Sequence, residues 1–183
     1  MAQTRIAVIV GSLRRESFNR QLADAIGKLV PADVRLDRLE IGDLPLFNQD
    51  HEQQPTDAVR RLKEGVRAAQ GVIFVTPEYN RSVPGVLKNA LDQGSRPYGQ
   101  SVWARKPAGV IGMSVGAIGT SLAQQHLRNI LAYLDMPTLG QPEAFLQHKD
   151  GTFLPDGSLD ERVAGFVGTW VAAYLDFVRR HAA

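Results

Sequence analysis

Short apolar runs alternate along the chain with longer stretches in which apolar residues recur every three or four positions. A continuous apolar run is typical of a strand buried on both faces, and the recurring spacing is typical of an amphipathic helix. The pattern therefore predicts five strands that alternate with five helices. The predicted strands span residues 5–10, 34–39, 71–75, 107–115 and 138–144; the predicted helices span residues 18–29, 56–69, 120–134 and 159–179, with a further helix beginning near residue 82.

This alternation predicts a single α/β domain over residues 1–183, a doubly wound parallel sheet with helices on both faces. A polar loop directly follows the first strand, which favours the flavodoxin-like, five-stranded order 2-1-3-4-5. The switch point of that order lies between the first and third strands. We therefore expect the loops after strands one, three and four to meet at one crevice.

The loop after the first strand gathers groups that bind anions. The apolar run ends at Gly11, and Ser17 is a good N-cap for a helix whose first N–H groups have no partner within the helix. The hydroxyl groups of Ser12 and Ser17, the Asn19 amide and the loop N–H groups can converge on one anion, and Arg14 adds positive charge. A phosphate monoester fits this chemistry. The loop matches neither of the two best-known phosphate motifs, and a plain N-capped turn is the alternative interpretation.

The loop after the third strand offers a surface for a flat ring. Pro77 lacks an N–H group, and the N–H groups of Glu78, Tyr79 and Asn80 are expected to be free for a heterocycle with acceptor atoms along its edge. The Tyr79 ring could pack on the face of that heterocycle. Ser82 is expected to cap the third helix. The alternative is that Glu78 and Tyr79 are ordinary surface residues.

Composition narrows the classes of function. The net charge of +2 is too small for a nucleic-acid surface, which needs clustered Lys and Arg. The absence of cysteine removes disulfides, thiolate nucleophiles and cysteine metal sites, and it fits a reducing cytoplasm. The remaining signals are also negative: no metal-ligand spacing of histidines, no leader before the first strand, and no apolar run of the roughly 20 residues that span a membrane. We therefore expect a cytoplasmic protein without a metal ion and without a nucleic-acid or membrane partner.

Two motifs carry a resemblance to a known family. The sequence after the first strand reads Gly-Ser-Leu-Arg-x-x-Ser-x-Asn, and that after the third reads Pro-Glu-Tyr-Asn-x-Ser-x-Pro-Gly-x-Leu-Lys-Asn-Ala-Leu-Asp. Together they closely resemble the NADPH-dependent FMN reductase family, in particular its branch of bacterial chromate and quinone reductases. The resemblance implies a flavodoxin-like fold with one non-covalently bound FMN. It also implies the contacts of that FMN: Gly11, Ser12, Arg14, Ser17 and Asn19 at the phosphate, Pro77, Glu78, Tyr79 and Asn80 along the isoalloxazine ring, and Ser114 and Gly116 near its other edge.

The same resemblance implies an FMN-dependent NAD(P)H oxidoreductase. NADPH or NADH would give a hydride to flavin N5, and a quinone, a free flavin, an azo compound or chromate would then take it. No side chain is expected to act as a nucleophile or general base, because the flavin carries the chemistry. A homodimer or homotetramer is expected, and the apolar loop at 44–47 is a candidate contact with the sheet rim or a partner subunit. Arg81 stands where the resemblance leads us to expect an aromatic residue, which changes the expected outer wall of the substrate pocket.

Two other functions are open at the level of sequence. A flavin electron carrier without a nicotinamide site would share the fold and the cofactor, and NADPH oxidation with a quinone distinguishes the two. A serine esterase is the second: residues 112–116 read Gly-Met-Ser-Val-Gly, the nucleophile-elbow pattern, and Asp135 and His148 follow Ser114 in the order of α/β-hydrolases. The short chain and the lack of a His-Gly-Gly-Gly loop argue against an esterase.

Overall fold

A computed structural model describes residues 3–181 of the chain. Five parallel strands form one sheet in the order β2-β1-β3-β4-β5, which confirms the predicted order. The strands are β1 (Thr4–Val10), β2 (Val34–Arg38), β3 (Gly71–Val75), β4 (Ala108–Ser114) and β5 (Ala144–Gln147). The helices are α1 (Phe18–Gly27), α2 (Asp57–Ala68), α3 (Gly85–Ser95), α4 (Ser121–Tyr133) and α5 (Glu161–His181), and a 3₁₀ turn lies at Gln49–His51.

The alternation of side chains along β1 divides the core into two layers. Ile6, Val8 and Val10 pack into the cluster beneath α1 and α5, whereas Ala7 and Ile9 pack into the cluster beneath α2, α3 and α4. Successive side chains of a strand point to opposite faces, so a strand covered by helices on both faces must be apolar throughout. This requirement explains why β1 and β3 read as continuous apolar runs.

Helix α5 packs closely on the sheet through two aromatic rings. Trp170 and Tyr174 stack with their centroids 5.6 Å apart, and the Tyr174 hydroxyl donates to the Pro107 carbonyl over 3.2 Å. A Cβ at Gly109 would lie 2.7 Å from the Tyr174 ring, so the strand needs a glycine there. Burial raises the pKa of Tyr174 well above its usual value.

No helix within residues 3–181 combines the length and hydropathy needed to cross a membrane.

The strand register brings the loops after β1, β3 and β4 together at the carboxyl ends of the strands. Val10 at the end of β1 lies beside Val75 at the end of β3, and Val75 lies beside Ile111 of β4. The Gly11 N–H group donates to the Val75 carbonyl over 2.9 Å, so the first loop begins against β3. The crevice at the switch point between β1 and β3 is therefore bordered by the loops after β1, β3 and β4.

Strand β5 differs from its prediction. It spans Ala144–Gln147 rather than 138–144, and Thr138 contributes only an isolated bridge to Ala108. Pro142 has no N–H group for a strand ladder, and the buried positions of the strand are Ala144 and Leu146. The preceding residues therefore approach the sheet as a loop.

Helix α3 also begins later than predicted, at Gly85 rather than near Ser82. Pro84 occupies the N-cap position without a side-chain hydrogen bond. A proline disfavours helical backbone at the residue before it, so Val83 cannot continue a helix that starts at Ser82. The prediction that Ser82 caps this helix is therefore wrong.

The apolar loop at 44–47 has one buried and one exposed side. Leu44 packs into the core beneath α2 and α3, whereas the Leu46 side chain is 85% exposed. The buried Asn89 side chain of α3 holds the loop: it accepts from the Phe47 N–H group over 2.8 Å and donates to the Pro45 carbonyl over 2.9 Å. The loop thus packs on the sheet rim and still presents Leu46 outward.

Candidate functional site

The loop between β1 and α1 (residues 11–17) is the predicted anion loop, and its two serine hydroxyls differ in their hydrogen-bond partners. Ser17 caps α1, and its hydroxyl oxygen accepts from the Arg20 N–H group over 3.3 Å. Ser12 is 5% exposed, and its hydroxyl makes no hydrogen bond within residues 3–181. Its Oγ is not one of the fully enclosed side-chain atoms that lack a partner, so it is open to water or to a ligand. Ser12 is thus a hydroxyl of this loop that is free to bind a ligand.

Gly11 allows the first and third loops to meet. A Cβ at Gly11 would lie 3.3 Å from the Pro77 ring and 3.2 Å from the Leu87 side chain of α3. These distances are tighter than ordinary van der Waals contact, so a larger residue would separate the loops. The glycine therefore serves the close approach of the two loops that border the crevice.

Arg14 is a residue of the anion loop, and its side chain lies over the Phe18 ring at the start of α1. Its guanidinium donates to the Glu16 carbonyl over 2.6 Å and lies 5.1 Å above the Phe18 ring. Phe18 in turn stacks on His148, with the ring centroids 3.8 Å apart. No carboxylate of the described chain forms an ion pair with Arg14. Its positive charge remains available to an anion in the loop.

Asn19 has a structural role that its position in the motif does not suggest. Its side-chain Nδ2 donates to the Met113 carbonyl and its Oδ1 accepts from the Met113 N–H group, each over 2.9 Å. Each amide atom thus makes one hydrogen bond to the backbone of β4, and the residue is 3% exposed. These bonds hold α1, and hence the anion loop, against β4. Nδ2 carries a second hydrogen, so the expected contact with an anion stays a prediction.

Glu78 directs its carboxylate away from the expected ring contacts. Its Oε2 accepts from the N–H groups of Leu122 and Ala123 over 3.0 and 3.1 Å, at the first turn of α4. The N-cap residue Thr120 makes no capping hydrogen bond of its own. A carboxylate at a helix N-terminus satisfies orphan N–H groups and interacts favourably with the helix dipole. The sequence gives no local signal for this contact, because the partners are 44 and 45 residues apart.

The residues after Glu78 form a two-residue hairpin turn. Tyr79 and Ser82 exchange backbone hydrogen bonds of 3.1 and 3.0 Å, while Asn80 and Arg81 take left-handed backbone with φ of 51° and 66°. The Tyr79 N–H group is thus occupied, contrary to the expectation that three successive N–H groups are free. The N–H groups of Glu78 and Asn80 have no partner within residues 3–181. The Ser82 hydroxyl lies 2.9 Å from His126 Nδ1 on α4, a contact that the sequence did not suggest.

The third loop, after β4, is a tight turn organised by Ser114. Its hydroxyl donates to the Gly119 carbonyl over 2.6 Å and its oxygen accepts from the Gly116 N–H group over 3.2 Å. Gly119 has a φ of 61°, and a Cβ there would lie 2.8 Å from the Phe145 backbone. The loop therefore keeps a fixed shape at the edge of the crevice, and Ser114 acts within it as a structural hydroxyl.

The structure does not assemble the esterase triad. The Ser114 hydroxyl is occupied within its own loop, and the His148 ring stacks on Phe18. Asp135 follows the C-terminal end of α4, where its carbonyl accepts from the Arg105 N–H group, close to the beginning of β4. Ser114 lies at the C-terminal end of β4. The acid and the serine are therefore at opposite ends of this strand. The nucleophile-elbow interpretation is therefore wrong.

The donors at the crevice fit an FMN molecule. The free Ser12 hydroxyl, the N-terminus of α1 and the Arg14 charge suit a phosphate monoester. The free N–H groups of Glu78 and Asn80, with the half-exposed Tyr79 ring beside them, suit the edge and face of a flat heterocycle. Residues 3–181 hold no group of three His, Cys, Asp or Glu side chains arranged to bind a metal ion.

Comparison with known proteins identifies the class. Residues 4–151 match the family of NADPH-dependent FMN reductases. A 2-hydroxy-1,4-benzoquinone reductase from Burkholderia sp. is 49% identical over 96% of each chain, and a quinone reductase from Pseudomonas putida is 46% identical over 97% of this chain and 96% of its own. The solved structure of FerB, a flavoenzyme NAD(P)H:(acceptor) oxidoreductase from Paracoccus denitrificans, superposes with a TM-score of 0.94 at 42% identity and covers 97% of this chain and 98% of its own.

The fold and the crevice thus define a flavodoxin-like flavoprotein, and the match over most of the chain specifies it further. The chain belongs to the NADPH-dependent FMN reductase family. This finding confirms the resemblance seen in the two loop motifs, and with it the expected class of enzyme: an oxidoreductase that uses FMN and NAD(P)H.

Proposed function

We propose that this protein binds FMN in the crevice between β1 and β3 and uses NAD(P)H to reduce quinones there. The observation that carries the proposal is the close approach of the loops after β1 and β3 at Gly11 and Pro77, which leaves little room for a Cβ at Gly11. It brings an anion-binding helix N-terminus next to a loop with unpaired N–H groups. A phosphate and a flat ring joined in one molecule would meet both sets of donors.

The phosphate end is assigned to the first loop. Ser12 and Ser17 would donate from their hydroxyls, and the N–H groups at the start of α1 would add the helix dipole. Arg14 would contribute charge from the loop surface. Gly11 would let the ring end approach Pro77, and Asn19 would act indirectly by holding α1 on β4.

The ring end is assigned to the second and third loops. The N–H groups of Glu78 and Asn80 would donate to the ring edge, next to Pro77, and the Tyr79 ring would cover part of one face. The Ser114–Gly116 turn would border the other edge. FMN, when bound, supplies the hydride chemistry between NAD(P)H and the acceptor, and the chain's residues bind and orient it.

The acceptor is proposed from similarity and from the shape of the site. The Burkholderia relative is named for 2-hydroxy-1,4-benzoquinone and the Pseudomonas relative for quinones, so a small quinone is the first candidate. An exposed edge with apolar side chains admits other flat molecules. Free flavins and azo compounds are therefore further candidates, and chromate is a candidate from the family branch.

NADPH oxidation by the purified protein tests the proposal. The protein should be yellow, release FMN rather than FAD on denaturation, and oxidise NADPH faster when a quinone is added. Under anaerobic conditions about one equivalent of NADPH should bleach the flavin, since hydride transfer carries two electrons. A yellow protein that NADPH cannot bleach would be an electron carrier. A colourless protein that also fails to bind added FMN would refute the cofactor site.

A homodimer or homotetramer is proposed as the working form. Leu46 in the apolar loop at 44–47 is 85% exposed, and Tyr98 and Tyr133 are 87% and 88% exposed; these side chains are the candidate contacts between copies of the chain. Light scattering at micromolar concentration should give a multiple of 20.1 kDa.

The cytoplasm is the proposed compartment, because the reaction consumes NAD(P)H; cell fractionation would test it.

A further inference from the structure

The hairpin turn between β3 and α3 presents a positive charge at its tip. Arg81 occupies the second turn position with a φ of 66°, in the left-handed region that side chains with a Cβ rarely adopt. Its side chain is exposed. The turn follows β3 and so lies at the edge of the sheet where the crevice opens. A long cationic side chain is thus displayed at the outer wall of the proposed acceptor site.

The hairpin is held in place from both of its ends. Before the turn, the Glu78 carboxylate accepts two N–H groups at the start of α4. After the turn, the Ser82 hydroxyl contacts His126 on the same helix over 2.9 Å. The backbone of Arg81 is therefore tied to α4 on each side, and only its side chain remains free to follow a ligand.

No acidic side chain among residues 3–181 forms an ion pair with Arg81. The nearest acid in sequence, Glu78, has its charge directed to the N-terminus of α4. Arg14 adds a second unpaired cation on the first loop. Arg81 and Arg14 are thus two cations near the crevice that form no ion pair within the described residues. Arg15 and Glu16 of the first loop carry opposite charges.

Apolar side chains accompany this charge at the same edge. Tyr79 is 49% exposed beside Arg81, and Val115 and Ile118 in the loop after β4 are 68% and 48% exposed. A molecule with a flat apolar body and one negative group would contact both kinds of surface. A neutral molecule of the same size would use the apolar surface alone.

We propose that Arg81 is a specificity-determining residue of the acceptor site, which favours quinones that carry a negative charge over neutral quinones. The inference rests on the proposed quinone reductase function and adds the charge class of its acceptor. Hydroxyquinones ionised at neutral pH and quinone sulfonates belong to this class. Because the cation is exposed, it acts by raising the rate of productive encounter, an effect that added salt weakens.

The test follows reoxidation of the pre-reduced, FMN-loaded protein by two acceptors, which separates acceptor binding from the reaction with NADPH. A naphthoquinone sulfonate is the anionic acceptor and menadione is the neutral one. Arg81→Gln should lower the second-order rate constant for the sulfonate by about three- to tenfold at low ionic strength, the size expected for one unit charge a few ångströms from an anion in water. The rate for menadione should change less than about twofold, and Arg81→Lys should retain most of the preference because it retains the charge.

Arg179→Gln is the matched control. It removes the same charge from the last turn of α5. The turn before it packs against Gly71 at the start of β3, at the opposite end of the strands from the crevice. The substitution should leave both rates unchanged, and raising the salt to about 0.5 M should reduce the difference between wild type and Arg81→Gln for the sulfonate. Circular dichroism and FMN content verify that each variant is folded and loaded.

Three outcomes would overturn the proposal. Equal losses with both acceptors would mean that Arg81 shapes the site rather than selecting charge. Unchanged rates with both would mean that the charge has no effect on the acceptor. If both reoxidation rates are unchanged and a separate measurement shows slower flavin reduction by NADPH in Arg81→Gln, the residue acts on the nicotinamide nucleotide instead. A wild-type holoprotein that neither quinone reoxidises would instead refute the proposed function, and this inference with it.

Discussion

At the scale of single residues, the hydrogen-bond partner rather than the position in a motif decides what a polar side chain does. Asn19 and Glu78 both lie in motifs expected to contact a ligand, yet both direct their side chains to backbone groups of neighbouring elements. Ser12 and Ser17 share one loop, but among the residues that the structure describes only the Ser17 hydroxyl has a hydrogen-bond partner. This difference separates effects on folding from effects on binding.

Ser12→Ala should weaken FMN binding without destabilising the apoprotein. The loss of a hydrogen bond to a charged group costs about 1.5–3 kcal/mol, or roughly ten- to hundredfold in the dissociation constant. Ser17→Ala should weaken binding similarly and also lower the free energy of unfolding by about 1 kcal/mol, since it removes an N-cap. Fluorescence titration and urea unfolding measure the two quantities. An unchanged FMN affinity in Ser12→Ala would contradict the phosphate assignment.

Glu78→Ala should destabilise the domain more than Glu78→Gln. Alanine removes the acceptor for two N–H groups of α4, a loss comparable to that of a helix cap at about 0.5–2 kcal/mol. Glutamine keeps an acceptor oxygen and loses only the charge–dipole interaction, about 0.3–1 kcal/mol. Urea unfolding of the apoproteins measures both changes. Glu64→Gln, an exposed change on α2, is the control and should stay within about 0.5 kcal/mol of wild type.

At the scale of elements, the edge strand β2 depends on charged contacts because it is less completely buried than β1 and β3. Asp37 of β2 forms ion pairs with Arg5 of β1 over 2.8 Å and with Arg35 over 2.6 Å. Partial burial raises the pKa of Asp37, but the hydrogen bonds from Arg5 and Arg35 outweigh this effect, so its pKa lies below the usual value. The strand is thus held partly by a charge that acid removes.

Asp37→Asn should lower the free energy of unfolding by about 0.5–1.5 kcal/mol at pH 7. Because the folded-state pKa is depressed, the contribution of the carboxylate is complete above the unfolded pKa of about 3.9 and disappears as pH falls through the lower folded value. Urea unfolding at pH 7 and at successively lower pH should therefore show the variant converging on wild type in acid. Asp150→Asn, an exposed change in a turn, provides the control. A difference that does not shrink at all as the pH falls below the unfolded pKa would show that the contribution of Asp37 is not ionic.

At the scale of the whole molecule, the crevice exists because five parallel strands end together and the chain reverses direction of winding between β1 and β3. Three loops far apart in sequence converge there, and the helices of both layers begin behind them. A ligand that joins these loops should stabilise the entire domain, since it binds the folded chain and not the unfolded one.

FMN should raise the midpoint of thermal unfolding of the apoprotein. At a free concentration a hundred times the dissociation constant, the gain is about 2.7 kcal/mol, which corresponds to roughly 5–10 °C for a domain of this size. Riboflavin, which lacks the phosphate, should give a clearly smaller shift at the same concentration. Equal shifts from the two compounds would mean that the α1 loop does not bind the phosphate.

The sequence by itself determined the arrangement of strands and helices in this protein. Apolar runs and helical spacing specify local geometry, so four of the five strands, the sheet order and the position of the crevice followed from the order of residues. The two loop motifs likewise indicated the family. Boundaries failed at Pro84 and Pro142, where a restriction on the backbone interrupts a pattern that side-chain hydropathy alone would continue.

Only the tertiary structure decided how the polar side chains at the crevice are used. Asn19 meets Met113 across 94 positions, and Glu78 meets Leu122 across 44. Such contacts leave no periodic trace in the sequence, because each depends on where two separate elements come to rest on the sheet. The same packing gave the Ser114 hydroxyl partners within its own loop and separated it from Asp135, and it left Arg81 without an ion pair among residues 3–181. A hydrogen bond or an ion pair depends on the distance between two groups in space. The sequence identifies each group but does not specify which distant group will lie next to it.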